Sequence, residues 1–516
     1  MKNKNISVSI IGAGASGLAF VHSLIQNNSF EKDIIISITV YDRLDKMGRG
    51  NAYLDDINSN LMNTKAGYLT FSNTRPGDFY IWILDNEDYL VEKYSLKEIN
   101  EHCYYPRSMF GEYLSQKWYE IVNMLPINVK LNFVDTLVDD IEYNQNRYLI
   151  FRNDGYVDFS NYIVLAVGTS NRMMESKYYD LGIKIIDNPY PTKNLLKTLK
   201  NIQNVVVIGS RLSAIDSIIS LKENGFDGDI TMHCINGTFP SVRGTQGRYT
   251  NKFLCENYIE ENYKDRLSFE DIVTLFNKEL SHFNSINEEN LEEDILKVFN
   301  SIPINDLENF IDYEIRMANG KRGWQAVFYD TNRSVPYVWK RLDSVQKKKF
   351  LSEYSNKIMG MRVSIPQENA YKIISYLRQG GLKFSTGKFD FISNSNDEIT
   401  FKAESDHVHN NIEAIIFATG SPAYVKHSQN QLIKTLKRSG LLSQHEFGGI
   451  RIDDHSKAID INGNVNDSLY VLGDLTKGEH LFLAALDIIR KQSHEVALNF
   501  TKNLKLRHDV SMDSRI

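Results

Sequence analysis

Cysteine is scarce: Cys103, Cys234 and Cys255 are the only 3 in 516 residues, and none belongs to a C-x-x-C pair. That excludes a disulfide framework and weighs against a dithiol reductase. A surplus of positive charge is missing too, with 59 Lys and Arg against 65 Asp and Glu and a net charge of -6. The sequence therefore offers no electrostatic footprint for nucleic acid or an anionic membrane. No apolar run reaches the roughly 20 residues that span a bilayer. The stretch Ile6 to Phe20 holds three glycines at fixed spacing and lacks a small-residue cleavage site, so it does not read as a signal peptide. The 12 histidines make no H-E-x-x-H or other paired ligand spacing, and no G-x-S-x-G context occurs. No metal is expected. These absences leave a cytoplasmic protein whose partners are small molecules, with an oligomeric state the sequence does not give.

Apolar residues make up 42% of the chain and charged residues 24%, ordinary for a folded globular protein. The length predicts about two to four domains. Residues 7–11 read as a short buried strand followed at once by a glycine turn. Leu18, Phe20, Val21, Leu24 and Ile25 then fall at helical spacing, and the run Ile34 to Tyr41 predicts a second strand. Strand, glycine turn, helix, strand is a βαβ unit. The opening recurs at Val205 to Ile208, with G-S-R-L-S-A from Gly209 and helical spacing over Ala214 to Leu221. An α/β fold with two Rossmann-like dinucleotide-binding domains is expected.

Between the two openings lie the strand pair Y-L-I-F and Y-V-D-F, the strand Y-I-V-L-A-V-G ending at Gly168, and an N-P-Y-P loop. From Tyr249 to Tyr376 the pattern is helical and rich in Asn, Glu and Lys, which reads as an insertion in the second domain. Its clearest helix begins at Ser268, an N-cap, with Ile272, Leu275, Phe276, Leu280 and Phe283 on one face. Strand-like segments return at 389–403, then I-I-F-A-T-G at 415–420 and L-Y-V-L-G-D at 469–474. A helix-like run to about Phe500 follows, and the chain from Leu504 reads as a frayed tail. The predicted boundaries are 1–200 for the first domain's opening part, 201–424 for the second domain with its insertion at about 249–376, and 425–516 for the return to the first.

Three constellations carry chemistry. In G-A-G-A-S-G, Gly12 permits the tight turn, Gly14 lets backbone approach a pyrophosphate, and Gly17 allows close helix–strand packing. The helix start at Ala13, Ala15 and Ser16 offers unpaired N–H groups to an anion. Asp42 ends the second strand, with Arg43 beside it, where a carboxylate bonds ribose hydroxyls. The second constellation is G-R-G-N-A-Y, Gly48 to Tyr53, with L-M-N-T at 61–64 and P-R-S-M-F-G-E-Y-L at 106–114. Gly50 suits a loop passing close to a flat ring, and Arg107 is placed to reach phosphate or an anionic substrate; an ordinary turn and a surface arginine are the plain alternatives. The third is Gly473–Asp474, between an apolar strand and a helix, where a carboxylate can bond a polyol chain.

The order of these motifs, with L-A-V-G, N-P-Y-P, V-V-I-G-S-R-L-S-A-I-D, I-I-F-A-T-G and V-L-G-D-L-T-K-G, resembles the two-dinucleotide-domain FAD/NAD(P)-binding flavoproteins over nearly all of residues 6–500. Within that class it is most similar to uncharacterised bacterial FAD/NAD(P)-binding proteins related to N-hydroxylating flavin monooxygenases. The insertion's G-W-Q-A-V-F, V-W-K-R-L and K-K-F-L-S-E-Y match in pattern. The resemblance implies that Gly12, Gly14, Gly17 and Asp42 hold the ADP half of FAD. It places Gly50 and Arg107 near flavin or pyrophosphate, Gly168 at a strand end, Asp474 on the ribityl chain, and NAD(P)H at Gly209 to Ala214. Two departures stand out. Arg211 replaces the second glycine of the later turn and either blocks the dinucleotide or contacts its phosphate. The following strand ends M-H-C-I-N-G where relatives carry arginines, with Arg243 and Arg248 further on, and the insertion's usual arginine cluster is reduced to Met361–Arg362.

The resemblance implies an FAD-dependent oxidoreductase, an NAD(P)H-using monooxygenase acting on an amine or another small nucleophile. Two alternatives stay open: a flavin oxidase or dehydrogenase reduced by its own substrate, and a non-catalytic FAD-binding sensor or scaffold.

Overall fold

The computed structural model describes residues 4–27, 34–72, 75–300, 306–393, 398–405, 408–483 and 485–513. The fold is mixed α/β with parallel sheets, and the chain divides into two compact units: residues 1–171 with 421–516, and residues 172–420.

In the first unit, Lys4–Ile11 pairs in parallel with Ile34–Asp42 on one side and Tyr162–Leu165 on the other. These strands are rich in Ile and Val because a central parallel strand is covered on both faces. Val8, Ile10, Ile36, Ile38, Ile163 and Val164 are wholly shielded from solvent. Each contributes about 1.5–3 kcal/mol by leaving water. Val129–Asp135 lies outside Ile34–Asp42, while Val465–Val471 lies beside Tyr162–Leu165 and carries Lys457–Ile459 as an antiparallel edge, giving six strands. A separate antiparallel meander joins Val138–Asn144, Arg147–Arg152 and Val157–Ser160.

The first helix, Ala15–Gln26, connects the first two strands and packs against the last helix, Leu486–Asp513. Phe20 meets Phe500 edge-on at 6.0 Å, and Ser493 Oγ–H donates to the Ser16 carbonyl at 3.3 Å. The last helix continues past Phe500 into the segment that reads as a frayed tail in sequence. Residues Thr501 to Asp513 contain neither Gly nor Pro, so nothing local ends it.

The second unit repeats the arrangement. Its five-stranded sheet has the order Leu382–Thr386, Asp229–Cys234, Asn204–Ile208, Ala414–Phe417, Lys184–Ile186, and every pair is parallel. The strand Lys184–Ile186 draws residues 172–200 into this unit, whereas the sequence reading assigned them to the first domain. Leu382–Thr386 lies ahead of the strand-like stretch seen in the sequence. Its pattern L-K-F-S-T is short and mixed, as an edge strand allows. Phe389–Ser393, Ile399–Ala403 and Val408–His409 form a small antiparallel sheet. Helices run from Glu256–Asn262 to Gln367–Arg378, between strands Asp229–Cys234 and Leu382–Thr386. One of them, Phe269–Asn287, starts with a reciprocal cap: Ser268 Oγ accepts from the Asp271 amide while Asp271 Oδ2 accepts from the Ser268 amide.

Candidate functional site

The first glycine turn is built by missing side chains. Gly12 has φ +114°, and a Cβ there would stand 2.2 Å from the Ala166 carbonyl oxygen. A Cβ on Gly17 would meet the Gly12 carbonyl at 2.1 Å, so the helix sits directly on the turn. Gly14 is the N-cap of Ala15–Gln26 in extended geometry, with no side-chain cap. A Cβ on Gly14 would point at Gly50 Cα, 3.1 Å away. Two backbones therefore pass each other bare, and the nearest neighbour of any side chain at Gly14 is the loop 48–50 rather than open space.

That loop is tied to the turn. The Gly48 amide donates to the Ala13 carbonyl at 2.9 Å, and the buried Trp118 indole N–H donates to the same oxygen at 3.0 Å. Gly48 itself has φ +76° and packs on Leu114 and Ser115, where a Cβ would clash at 2.4 Å. Ser115 Oγ–H donates to the Met47 carbonyl at 2.6 Å. Helix Arg107–Asn123 thus holds the loop through Leu114 and Ser115 and the turn through Trp118.

Asp42 reaches the turn from the end of Ile34–Asp42. Its Oδ2 accepts from the Ala13 amide at 2.9 Å and its Oδ1 from the Arg43 amide at 2.8 Å. Burial raises its pKa, and the two amides pull the other way. Each oxygen keeps acceptor capacity, since a carboxylate has about four lone-pair directions. Arg43 is exposed and faces Asp135 across 3.9 Å, a pairing that contributes little.

Arg107 lies in the same unit, as the first residue of its helix. Its amide donates to the Asn60 carbonyl at 2.8 Å and its Nε to the Leu61 carbonyl at 3.1 Å. With Met62 N–H on the Tyr105 carbonyl at 2.8 Å, this joins the 61–64 and 106–114 motifs. Tyr53 meets Phe110 edge-on at 5.0 Å, and burial raises its pKa while Arg107 lowers it. The loop 48–53 and both motifs are therefore one neighbourhood.

Gly168 has φ +67° and open space around its α-carbon, two residues after the Ala166 carbonyl that abuts Gly12. Gly473 has φ +69°, and a Cβ there would stand 2.7 Å from Ser16 Oγ. The Gly473 amide is bound by Gln492 Oε1 at 3.0 Å, from the last helix. Asp474 follows; its Oδ2 accepts from Ser421 Oγ–H at 2.9 Å and pairs with Lys477 Nζ at 2.7 Å. Turn, 48–50 loop, strand end and Gly473 thus converge on the start of the first helix. Trp118, Gln492 and Lys477 have no signature in the sequence; each is one residue of an otherwise ordinary helix or turn.

Gly209 and Arg211 belong to the other unit. Gly209 has φ +130° with the Ala418 carbonyl 2.5 Å from any added Cβ, matching Gly12 and Ala166. Arg211 takes the N-cap place of Leu212–Glu223 in extended geometry. Its Nη2 donates to the Asn356 carbonyl and to Asn356 Oδ1, both at 3.2 Å. Burial lowers its pKa, and no carboxylate pairs with it among the described residues. His233 is buried between Ser385 Oγ at 2.9 Å and the Gly387 carbonyl at 3.0 Å, and burial lowers its pKa to about 4. Arg243 lies over the Tyr329 ring at 3.9 Å, Arg248 is exposed, and Arg362 is buried on Thr331 Oγ1 at 2.6 Å.

The bare amides, the crossing glycines and the carboxylate at the second strand's end fit the ADP half of a dinucleotide. Residues 9–170 match the family model described as FAD-NAD(P)-binding. Across 245 residues the chain is 20% identical to the uncharacterized protein YdhS of Escherichia coli (strain K12), covering 44% of this chain and 42% of that relative's length. Solved structures share the fold over nearly the whole chain, among them two hydroxylases. The ornithine hydroxylase of Pseudomonas aeruginosa, in reduced form, superposes with TM-score 0.57 at 14% identity, covering 97% of this chain and 100% of that one. The ornithine N-hydroxylase of Kutzneria sp. 744, described with reduced FAD, NADP+ and L-ornithine, gives 0.55 at 13% identity and the same coverage. Among the described residues no helix is long and apolar enough to cross a membrane, and no group of three or more potential metal ligands occurs.

Proposed function

We propose that this chain is an FAD-dependent monooxygenase that uses NAD(P)H and oxidises an amine or similar small nucleophile in the cytoplasm. The observation that carries this reading is the convergence of Gly12–Gly17, Gly48–Gly50, Asp42 and Gly473–Asp474 on the start of the first helix, in a unit whose residues 9–170 match the FAD-NAD(P)-binding model. The fold of amine hydroxylases described with FAD, NADP+ and ornithine supports it.

In this reading the two units are Rossmann-like domains, the first for FAD and the second, with its helical insertion, for NAD(P)H. Gly14 and the amides of Ala15 and Ser16 would face the pyrophosphate, and Asp42 the adenosine ribose. Gly50 and Arg107 would border the flavin end, and Asp474, neutralised on one oxygen by Lys477, would take a ribityl hydroxyl. When bound, FAD supplies the hydride and oxygen chemistry, which explains why no protein nucleophile stands out. The chain's own part is to align the nucleotides and exclude water. Arg211, half-buried and paired with no carboxylate among the described residues, is suited to a phosphate of NAD(P)H.

The test is direct. The purified protein should carry bound flavin, bleach anaerobically with NADH or NADPH, and consume oxygen with NAD(P)H when an amine substrate is present. A flavin that neither nicotinamide reduces would remove the monooxygenase reading. Rapid bleaching by an organic substrate alone would replace it with a substrate-reduced oxidase or dehydrogenase.

A further inference from the structure

The Ala13 carbonyl is buried and accepts twice, from the Trp118 indole N–H at 3.0 Å and the Gly48 amide at 2.9 Å. Its own amide is spent on Asp42 Oδ2 at 2.9 Å. The peptide joining Ala13 to Gly14 is trans; among the described residues the cis bond is Tyr190–Pro191. In a trans peptide the carbonyl and the following N–H point in opposite directions. Turning the Ala13 oxygen inward toward Trp118 therefore turns the Gly14 N–H outward. That N–H meets no acceptor among the described residues and opens the row of unpaired amides at the start of Ala15–Gln26.

Trp118 is also well placed to do this rigidly. It is fully shielded from solvent, and its ring meets Phe133 edge-on at 5.1 Å. It comes from helix Arg107–Asn123, whose Leu114–Ser115 backbone also carries Gly48. One helix thus supplies one of the two donors to the Ala13 oxygen and seats the other. Beside the Gly48 amide, the indole adds a second donor that cannot move without disturbing the core.

We propose that Trp118 is a positioning residue for dinucleotide binding: its indole N–H locks the Ala13–Gly14 peptide so that the Gly14 amide faces the diphosphate. This rests on the reading of the first unit as the FAD site. It assigns to a buried aromatic side chain, with no contact to the cofactor required, a share of the affinity for the ADP half.

The experiment uses the full chain stripped of flavin and titrated separately with FAD, ADP and riboflavin. Trp118→Phe keeps an aromatic ring, removes the donor and shortens the side chain. It should weaken FAD and ADP by about tenfold each and leave any binding of riboflavin, which has no phosphate, unchanged, while the flavin-free protein melts within a few degrees of the parent. Equal affinity of Trp118→Phe and parent for FAD and ADP would overturn the proposal. So would a loss shared equally by riboflavin, which would indicate a general structural role. If the parent itself binds neither FAD nor ADP, it is the FAD reading that fails. Should Trp118→Phe not fold, the unaltered chain decides through its indole N–H resonances, with Trp118 assigned by Trp82→Phe, Trp324→Phe and Trp339→Phe. The Trp118 resonance must shift on addition of ADP; an unmoved resonance at saturating ADP overturns the proposal.

Discussion

Gly14 shows how one residue serves two close approaches at once. Its α-carbon borders the amides at the helix start, and an added Cβ would meet Gly50 Cα at 3.1 Å. Gly14→Val should therefore displace the 48–50 loop as well as crowd the pyrophosphate. The purified variant should contain almost no flavin by absorbance per mole of protein; full flavination would show that the cofactor is held elsewhere. Gly14→Ala is the milder case, because the contact is tight but not impossible, and should retain flavin with weakened affinity. Arg211 presents the converse problem at the second turn. A half-buried guanidinium held by Asn356 and no carboxylate predicts that Arg211→Ala raises the KM for NADH or NADPH about tenfold with kcat little changed. A lowered KM in Arg211→Gly would show instead that the side chain obstructs the nucleotide. Both turns were legible in the sequence as glycine patterns between strand and helix. What could not be read was the partner of each glycine: Gly50 and Ala166 are distant in sequence, and only the fold brings them against Gly14 and Gly12.

Among elements, the helices divide into those that frame the nucleotide turn and those that do not, and their variants should separate accordingly. Ser268 caps Phe269–Asn287 reciprocally with Asp271, in the second unit. Ser268→Ala should cost about 1 kcal/mol in chemical denaturation and leave FAD affinity unaltered. Gln492 belongs to Leu486–Asp513 and divides its amide between the Gly473 N–H and Thr476 Oγ at 2.9 Å. Gln492→Leu leaves a buried amide without its acceptor, which costs about 1–3 kcal/mol. It should also loosen the Gly473–Asp474 turn, seen as faster flavin release on dilution. The apolar spacing reveals the capped helix Phe269–Asn287 because its signals are local. The strand Leu382–Thr386 has no such signal, since an edge strand of five residues needs no continuous apolar run, and the last helix runs on past Phe500 because no helix breaker stops it.

At the scale of the whole molecule, two buried histidines set the response to acid. Burial lowers the pKa of His22 and of His233 to about 4 each from the ordinary 6.5. Between those values the unfolded chain binds more protons than the folded one. Their contribution is therefore complete above about pH 6.5 and is lost as pH falls toward 4, by a few kcal/mol per group at roughly 1.4 kcal/mol per pKa unit. Denaturant midpoints should fall steeply between pH 6.5 and 4.5, and His22→Leu should flatten that decline. A midpoint that does not change over this range would contradict the buried neutral state of both rings. The two strand–turn–helix openings were readable from the repeated glycine pattern. The division of the chain was less so, because the short strand Lys184–Ile186 joins the second sheet by pairing with residues more than two hundred positions later.

The six-stranded sheet has a consequence for how the protein is made. Its Tyr162–Leu165 strand is flanked by Val465–Val471, and its first helix is covered by Leu486–Asp513, both from the far side of the second unit. On the ribosome, the N-terminal strands emerge with one edge unpaired and an apolar helix face bare, and they wait for about 300 further residues, on the order of 15–60 s at ordinary elongation rates. The second unit, by contrast, holds all of its sheet strands within residues 172–420 and can close while synthesis continues. Nascent chains arrested just before the strand Val465–Val471, with the second unit clear of the ribosome, should therefore show a protease-resistant second unit tethered to an N-terminal segment that still requires a holding chaperone.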